Sequence, residues 1–351
     1  MNTPVSPVRY PPKLHPGDKV AILSPSSGLP ELFPAMFEQG LQRLRDIFQL
    51  VPVEYPTTRK LHSSLEERAR DVHVAFANPE IKAVLCSIGG SDQIKLLSYL
   101  DTELLRTHPK PFLGYSDHTN LHILLSNLGL VSYYGGAIMV QFGRPSAMHS
   151  YTVEYLRHAL FEHGEFELRP APEYSDEDVD WEDAEQLGLQ PTMYPNDGWQ
   201  WLNAGSLVEG VTWGGDLDIL SWHLSVNRYM LPNEAYAGRI LCLETDEELP
   251  SATVVYRILM CMGERGLLQQ FAAMLVAHPK AWSFEHQHSL AERKRFLDEQ
   301  REAIQMALRE YHPTMLTVFN LDFGHTDPQM IIPHNGCIRI DSVQQRIFAT
   351  Y

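Results

Sequence analysis

Positive charge is in short supply in this chain. Lys and Arg number 28 against 44 Asp and Glu, which leaves a formal charge of −16. Broad contact with a phosphate backbone needs clustered cations, so a nucleic acid polymer is not an expected partner. Cysteine is also scarce: Cys86, Cys242, Cys261 and Cys337 stand far apart and form no C-x-x-C pair. That spacing reads as free, mostly buried thiols of an intracellular chain. No apolar run approaches the roughly 18 residues of a membrane-spanning helix. The start, "MNTPVSPVRYPPKLHPGDKV", has five prolines before residue 17 and lacks the apolar core of a secretory signal. A cytoplasmic location and no membrane partner are therefore expected. "SPSSG" (24–28) matches neither G-x-x-x-x-G-K-S/T nor G-x-G-x-x-G and reads as a turn. "EHQHS" (285–289) sets His286 and His288 two apart, a spacing that lets two rings share a metal on a strand. No third ligand lies nearby and there is no H-E-x-x-H helix, so neither metal nor cofactor is expected.

What is present is the composition of a soluble globular protein with a large core, 44% hydrophobic and 21% charged over 351 residues. That length suits two domains. "DKVAILSPSSG" (18–28) reads as a buried strand entering a turn, and "LFPAMFEQGLQRLRDIF" (32–48) follows with helical spacing. "LVPVEY" is another strand. "SLEERARDVHVAFANP" (64–79) is a helix with Ser64 and Glu67 in capping-box spacing. "KAVLCSIGG" (82–90) is a strand ending in glycines, "SDQIKLLSYL" continues as helix, and "PKPFLGYSD" brings the next strand and its helix. Strands alternating with helices predict a parallel sheet covered on both faces, with ligands at the carboxyl ends of the strands. "SIGG" and "LGYSD" both sit at such ends. Beyond residue 165 the alternation stops. "RPAPEYSDEDVDWEDAEQLGLQPTMYPNDGWQWLNAG" (169–205) is acidic, rich in Pro and Trp, and aperiodic. It reads as an interdomain crossing with a long functional excursion. Further strands and two helices then close the chain.

Several residues carry chemistry in this frame. Ser116 in "FLGYSDHTNLHILL" (112–125) stands where an apolar strand turns into a helix, so it is either an ordinary N-cap or a nucleophile on a sharp turn. Gly114 suits a crowded turn, but His118 occupies the place of an elbow's second glycine. Gly89 and Gly90 let backbone N–H groups come close to a substrate oxygen. Glu244 ends the strand "LCLETDEE" and can orient a histidine, whereas Asp246, Glu247 and Glu248 read as a solvated acidic loop. His325 follows a glycine in "LDFGHTDPQ" and titrates near neutral pH, as a general base must. Trp181, Trp199 and Trp201 either stack a flat ligand or pack the two domains together, the latter favoured for Trp199 and Trp201.

Together these pieces resemble the LD-carboxypeptidase family of serine peptidases, which includes the microcin C immunity proteins of the MccF type. The matching stretches are "LHPGDKVAILSPSS", "ERARDVHVAFANPEIKAVLCSIGG", "FLGYSDHTNLHILL", "GSLVEGVTWGGDLDIL", "ILCLETDEE" and "FGHTDPQMIIPHNGCIRID", in family order over nearly the whole chain. The resemblance implies a Ser116–Glu244–His325 triad, and an oxyanion hole from the backbone N–H groups of Asp117 and Gly90. It implies an α/β fold: an N-terminal parallel-sheet, amidotransferase-like domain (1–168), a linker and substrate loop (169–205), and a smaller β-rich α+β C-terminal domain (206–351). Homodimers without metal are usual in the family. The long excursion favours the MccF-like branch, with Trp181 and Gly89 as substrate contacts and a peptidyl- or aminoacyl-nucleotide as substrate. The alternative is the L,D bond of a murein tetrapeptide. In either case the scissile bond is expected beside a carboxylate or acidic group. Asp216 departs from the family's usual Asn, "SVNRYMLP" lacks its Gly-Thr, and "LVAHPKAW" differs from its usual strand. Two other classes stay open on the residues alone. One is a non-catalytic ligand-binding protein on the same scaffold; the other is a general α/β-hydrolase esterase, whose G-x-S-x-G is absent.

Overall fold

The computed structural model describes residues 8–183 and 186–351. Its first sheet is built from Lys19–Leu23 (β1), Val51–Glu54 (β2), Ile81–Cys86 (β3), Phe112–Gly114 (β4) and Ser132–Tyr134 (β5). All neighbouring pairs among these five are parallel. The near-continuous apolar runs follow from burial on both faces. In β1, Val20 and Ile22 enter one core cluster while Ala21 and Leu23 enter another, and β3 divides Ala83 and Leu85 from Val84 and Cys86 in the same way. Helix Pro34–Phe48 (α1) covers the first face with Phe37, Leu41, Leu44 and Phe48. Helix Leu65–Ala77 (α2), begun by the predicted Ser64–Glu67 capping box, covers the second with Ala69, Val72 and Phe76. The segment expected to continue as helix after "SIGG" forms a 3-10 turn over Gln93–Tyr99, and the first α-helical turns come at Thr102–Thr107 (α3). Helices Thr119–Asn127 (α4) and Ser150–Phe161 (α5) complete this part.

The second sheet has eight strands: Glu165–Leu168 (β6), Gln200–Leu202 (β9), Leu207–Asp216 (β10), Ile240–Glu244 (β11), Ala273–Ala277 (β12), Leu316–Leu321 (β13), Cys337–Asp341 (β15) and Arg346–Thr350 (β16). Within the acidic excursion a two-stranded ribbon, Glu173–Tyr174 (β7) with Tyr194–Pro195 (β8), stands apart from both sheets, whereas β9 joins the second. Strands β10 to β13 are parallel neighbours, and the flanking strands are antiparallel. One face of β11 and β12, through Ile240, Cys242 and Leu275, joins the same core cluster as β1 and β3. The other face is covered by Leu217–Val226 (α6), Ala252–Glu264 (α7) and Leu290–Tyr311 (α8).

The sheets exchange strands. β6, which precedes the acidic excursion, pairs with β16, while Ile332–His334 (β14) pairs with β5 and completes the first sheet. A cut at residue 168 therefore does not separate the two sheets. The carboxyl ends of β3, β4, β10, β11 and β13 converge on one side, where α/β sheets gather ligands.

Candidate active site

Ser116 sits at the end of β4 with φ of +62°, in the left-handed region. For a residue other than glycine this costs on the order of 1–3 kcal/mol and persists only where the surroundings over-determine it. They do so here. The Ser116 N–H donates to the Tyr134 hydroxyl at 3.1 Å. The buried Asp117 carboxylate accepts from the N–H groups of Asp92 and Gln93 (3.1 and 3.0 Å), from the Ser26 hydroxyl, and from Asn120 Nδ2 at 2.8 Å. Asp117 thus ties the "SPSSG" and "SIGGSD" loops to the serine turn, so the first of these is an anchor rather than a plain turn. A Cβ on Gly114 would lie 2.7 Å from the His118 ring, which is why that place has no side chain. His118 is buried; its Nε2 donates to the Ile88 carbonyl at 2.8 Å, so Nδ1 accepts from Gln93 Nε2 at 2.7 Å. Burial lowers its pKa to about 4, and the ring is a neutral spacer in the place of a second glycine.

Glu244 ends β11 and is 2% exposed. Its carboxylate accepts from Tyr134 Oη at 2.5 Å and meets His325 Nδ1 at 2.6 Å. His325 stands on the loop after β13 behind Gly324, where φ is +83° and an added Cβ would lie 2.8 Å from Glu244 Cβ. Buried Gln329 fixes that loop: its Nε2 donates to the Gly324 carbonyl at 2.6 Å and its Oε1 accepts the Gly136 N–H at 2.8 Å. The other ring nitrogen of His325, Nε2, is 3.2 Å from Glu247 Oε2. Burial opposes a charged ring, but Glu244, then Glu247 and Asp216, outweigh it and raise the His325 pKa to about 10. Glu247, expected in a solvated loop, is therefore a partner of the histidine. Asp246 behind it is pushed up to about 7 by burial and by its acidic neighbours, against the pull of His325.

Ser116, Gly89, Gly90, Trp181 and His325 all line one cavity of about 520 Å³. A Cβ on Gly89 would come within 3.2 Å of Ser116 Oγ, so this backbone lies directly against the serine. No hydrogen bond joins Ser116 Oγ to His325 among the described residues. The structure thus brings the serine and the Glu–His pair to one cavity, with Nε2 turned to Glu247. Trp181 meets Phe33 edge-on, ring centres 5.4 Å apart. Trp199 donates from Nε1 to Asp322 at 3.1 Å, and Trp201 on β9 packs against the main core, so both are packing residues.

Ligand atoms of Asp216, Glu244 and His325 lie within 4.8 Å of one another. At 2.6 Å the Glu244 Oε2 and His325 Nδ1 share a proton, which takes the lone pair a metal ion would need. The donor set therefore fits acid–base work better than a metal. β10 and β11 pair Asp216 with Glu244 in register. Asp216 Oδ1 caps α6 through the N–H groups of Asp218 and Ile219, while Oδ2 is buried without a partner. Burial and the Glu244 charge hold the Asp216 pKa well above the usual carboxylate range. His286 and His288 lie in irregular chain before α8, not on a strand, with ring centres 6.2 Å apart.

Tyr134, Ser26 and Glu247 were not legible as site residues. Tyr134 lies in the short run "VSYYGG", where nothing separates it from Tyr133. Ser26 and Glu247 lie in loops whose composition alone reads as solvated.

The chain matches the LD-carboxypeptidase N-terminal domain over residues 20–135 and the LD-carboxypeptidase C-terminal domain over residues 209–340. Its fold is similar to the crystal structure of an MccF-like protein from Bacillus anthracis, with a TM-score of 0.84, 25% identity, and coverage of 98% of this chain and 100% of that one. It is also similar to an MccF-like protein from Streptococcus pneumoniae in complex with AMP, with a TM-score of 0.82, 27% identity, and coverage of 95% and 99%. The microcin C7 self-immunity protein MccF of Escherichia coli is 28% identical over 211 residues, 58% of this chain and 60% of that protein. The two matches together span most of the sequence and both sheets: the chain belongs to the LD-carboxypeptidase family of serine peptidases.

Proposed function

We propose that the protein hydrolyses an amide bond through an acyl-enzyme on Ser116. The observation that carries this reading is the Glu244–His325 pair, hydrogen-bonded at 2.6 Å, with His325 lining the same cavity as the strained serine. His325 Nε2 takes the Ser116 proton as Oγ attacks the carbonyl carbon, and Glu244 balances the imidazolium. The N–H groups of Asp117 and Gly90 receive the charge on the tetrahedral oxygen. His325 then gives its proton to the leaving nitrogen, the amine departs, and water frees the acyl group by the same route in reverse. The nucleophile belongs to the first sheet and the acid and base to the second, with the excursion over 169–205 as the substrate loop. The mechanism draws on no cofactor.

The substrate that fits this cavity best is a peptidyl- or aminoacyl-nucleotide. Trp181 and Phe33 offer aromatic faces for a base, and the Streptococcus pneumoniae relative is a complex with AMP. The test compares purified protein on an aminoacyl-sulfamoyl adenosine and on a murein tetrapeptide. Cleavage of the nucleotide alone is expected; cleavage of the tetrapeptide alone assigns the protein to cell-wall peptides, and cleavage of neither, with folded protein, overturns the reading.

A further inference from the structure

The proposed triad lacks one link, and an acid stands where that link belongs. His325 Nε2, which has to face Ser116 Oγ, points instead to Glu247 Oε2 at 3.2 Å. Glu247 is on the loop after β11, lines the cavity beside Ser116, and leaves 59% of its side chain exposed. Its one ion pair among the described residues is the contact with His325. The cations of the same cavity are already engaged. Lys280 Nζ bonds Asp178 Oδ1 at 2.7 Å and the Asp176 carbonyl at 2.8 Å, and Arg144 Nε bonds Asp327 Oδ2 at 2.7 Å. Behind Glu247 and His325 lies Asp216, 1% exposed, with its Oδ2 unpartnered. The groups that face His325 are Glu244, Asp246 and Glu247 from β11 and its loop, Asp216 from β10, Asp178 from the excursion, and Tyr115 from the serine turn. No fixed cation is among them.

A like charge placed against this wall is repelled: a substrate carboxylate here would meet Glu247, and Lys280, the cation that acts on Glu247, is already bonded to Asp178. A substrate cation meets the opposite situation. It can pair with Glu247, and doing so removes the carboxylate from Nε2. We infer that Glu247 determines specificity: it selects substrates whose residue on the acyl side of the scissile amide carries a side-chain ammonium or guanidinium group, and that cation, by drawing Glu247 away, turns His325 Nε2 over to Ser116. The inference rests on the triad reading above and reverses the expectation of an acidic group beside the scissile bond. Once Glu247 has moved, Nε2 gives its proton to solvent, and the neutral ring accepts the proton of Ser116 Oγ. Substrate charge therefore acts twice, in recognition and in assembling the base.

The test uses the full chain and three aminoacyl-sulfamoyl adenosines that differ only in the amino acid: lysyl, leucyl and glutamyl. Wild-type kcat/KM is expected to favour lysyl over glutamyl by about 100-fold, the scale set by like-charge rejection at a binding surface. Glu247→Gln should shrink that ratio to below about fivefold, and Glu247→Lys should invert it. Calorimetric titration of the same three ligands into Ser116→Ala protein should keep the lysyl-first order. A wild type that treats lysyl and glutamyl alike, or prefers glutamyl, overturns the inference, as does a preference that survives Glu247→Gln. Lysyl-first binding without any cleavage by the wild type would leave charge selection standing and sink the hydrolytic reading. If none of the three binds, the inference falls, and the tetrapeptide assay above decides the hydrolytic reading.

Discussion

The serine turn and the histidine loop differ in how completely their polar groups are satisfied. At the serine turn, Asp117 accepts from four groups on three segments, His118 uses both ring nitrogens, and the Ser116 N–H is held by Tyr134. At the histidine loop one carboxylate, Glu244, is buried and doubly bonded, while the other, Glu247, is exposed and makes one ion pair among the described residues, to His325 at 3.2 Å. The proposed nucleophile is locked and the proposed base has a removable partner. A strained residue needs the first arrangement; a base that has to exchange partners needs the second.

The sharpest way to break this comparison is Ser116→Ala. It should cut turnover by about 10⁴-fold or more, since members of a triad act as a unit, while the melting temperature stays close to that of the wild type. Retained turnover would remove Ser116 from the chemistry. Asp117→Ala should act on the locked side through stability. Stripping a shared acceptor from four buried or half-buried donors is expected to cost about 3 kcal/mol or more, read as a lower denaturant midpoint. An unchanged midpoint would show that the turn holds without it.

On the adjustable side, pH is the lever. With its pKa at about 10, His325 should lose its proton, and kcat/KM on the leucyl substrate, whose side chain is uncharged, should rise as pH climbs from 7 towards 10. Glu247→Gln removes one of the groups that raise this pKa, so the rising limb should move to lower pH. A flat profile in both proteins would deny that His325 protonation limits the rate. The linked stability has the opposite sense. Because the folded pKa lies above the ordinary 6.5, this histidine's contribution is fully present below about pH 6.5 and is lost as pH rises towards about 10. The smallest effect is expected for Tyr134→Phe, which touches both regions through Ser116 N–H and Glu244. Loss of these two bonds should lower kcat by about tenfold with little change in KM. A change in KM alone would place Tyr134 on the substrate side instead.

Where the sequence pattern reported the site, it did so through chain features that repeat or punctuate. The strand–helix alternation reaches Ser116, Gly89 and Gly90 because parallel strands end in turns. Glu244 and His325 follow apolar runs for the same reason. The helix expected after "SIGG" is a 3-10 turn over Gln93–Tyr99, whose first N–H groups are capped by Asp117 from outside that segment. Glu247 was unreadable on physical grounds. Three consecutive acids in a loop look equally solvated until the fold sets one of them against a histidine 78 residues later. The exchange of β6 and β14 was hidden too, since strand pairing across the whole chain leaves no local trace.

That exchange has a consequence for how the protein is made. β5 leaves the ribosome roughly 200 residues before its partner β14, so at about 5–20 residues per second its outer edge stays open for on the order of 10–40 s. An open strand edge is a template for wrong pairing. The half of the molecule that carries Ser116 is thus the first to be synthesised and among the last to be closed, and a nascent chain stalled before Ile332 would expose Ser132–Tyr134 to whatever strand it meets.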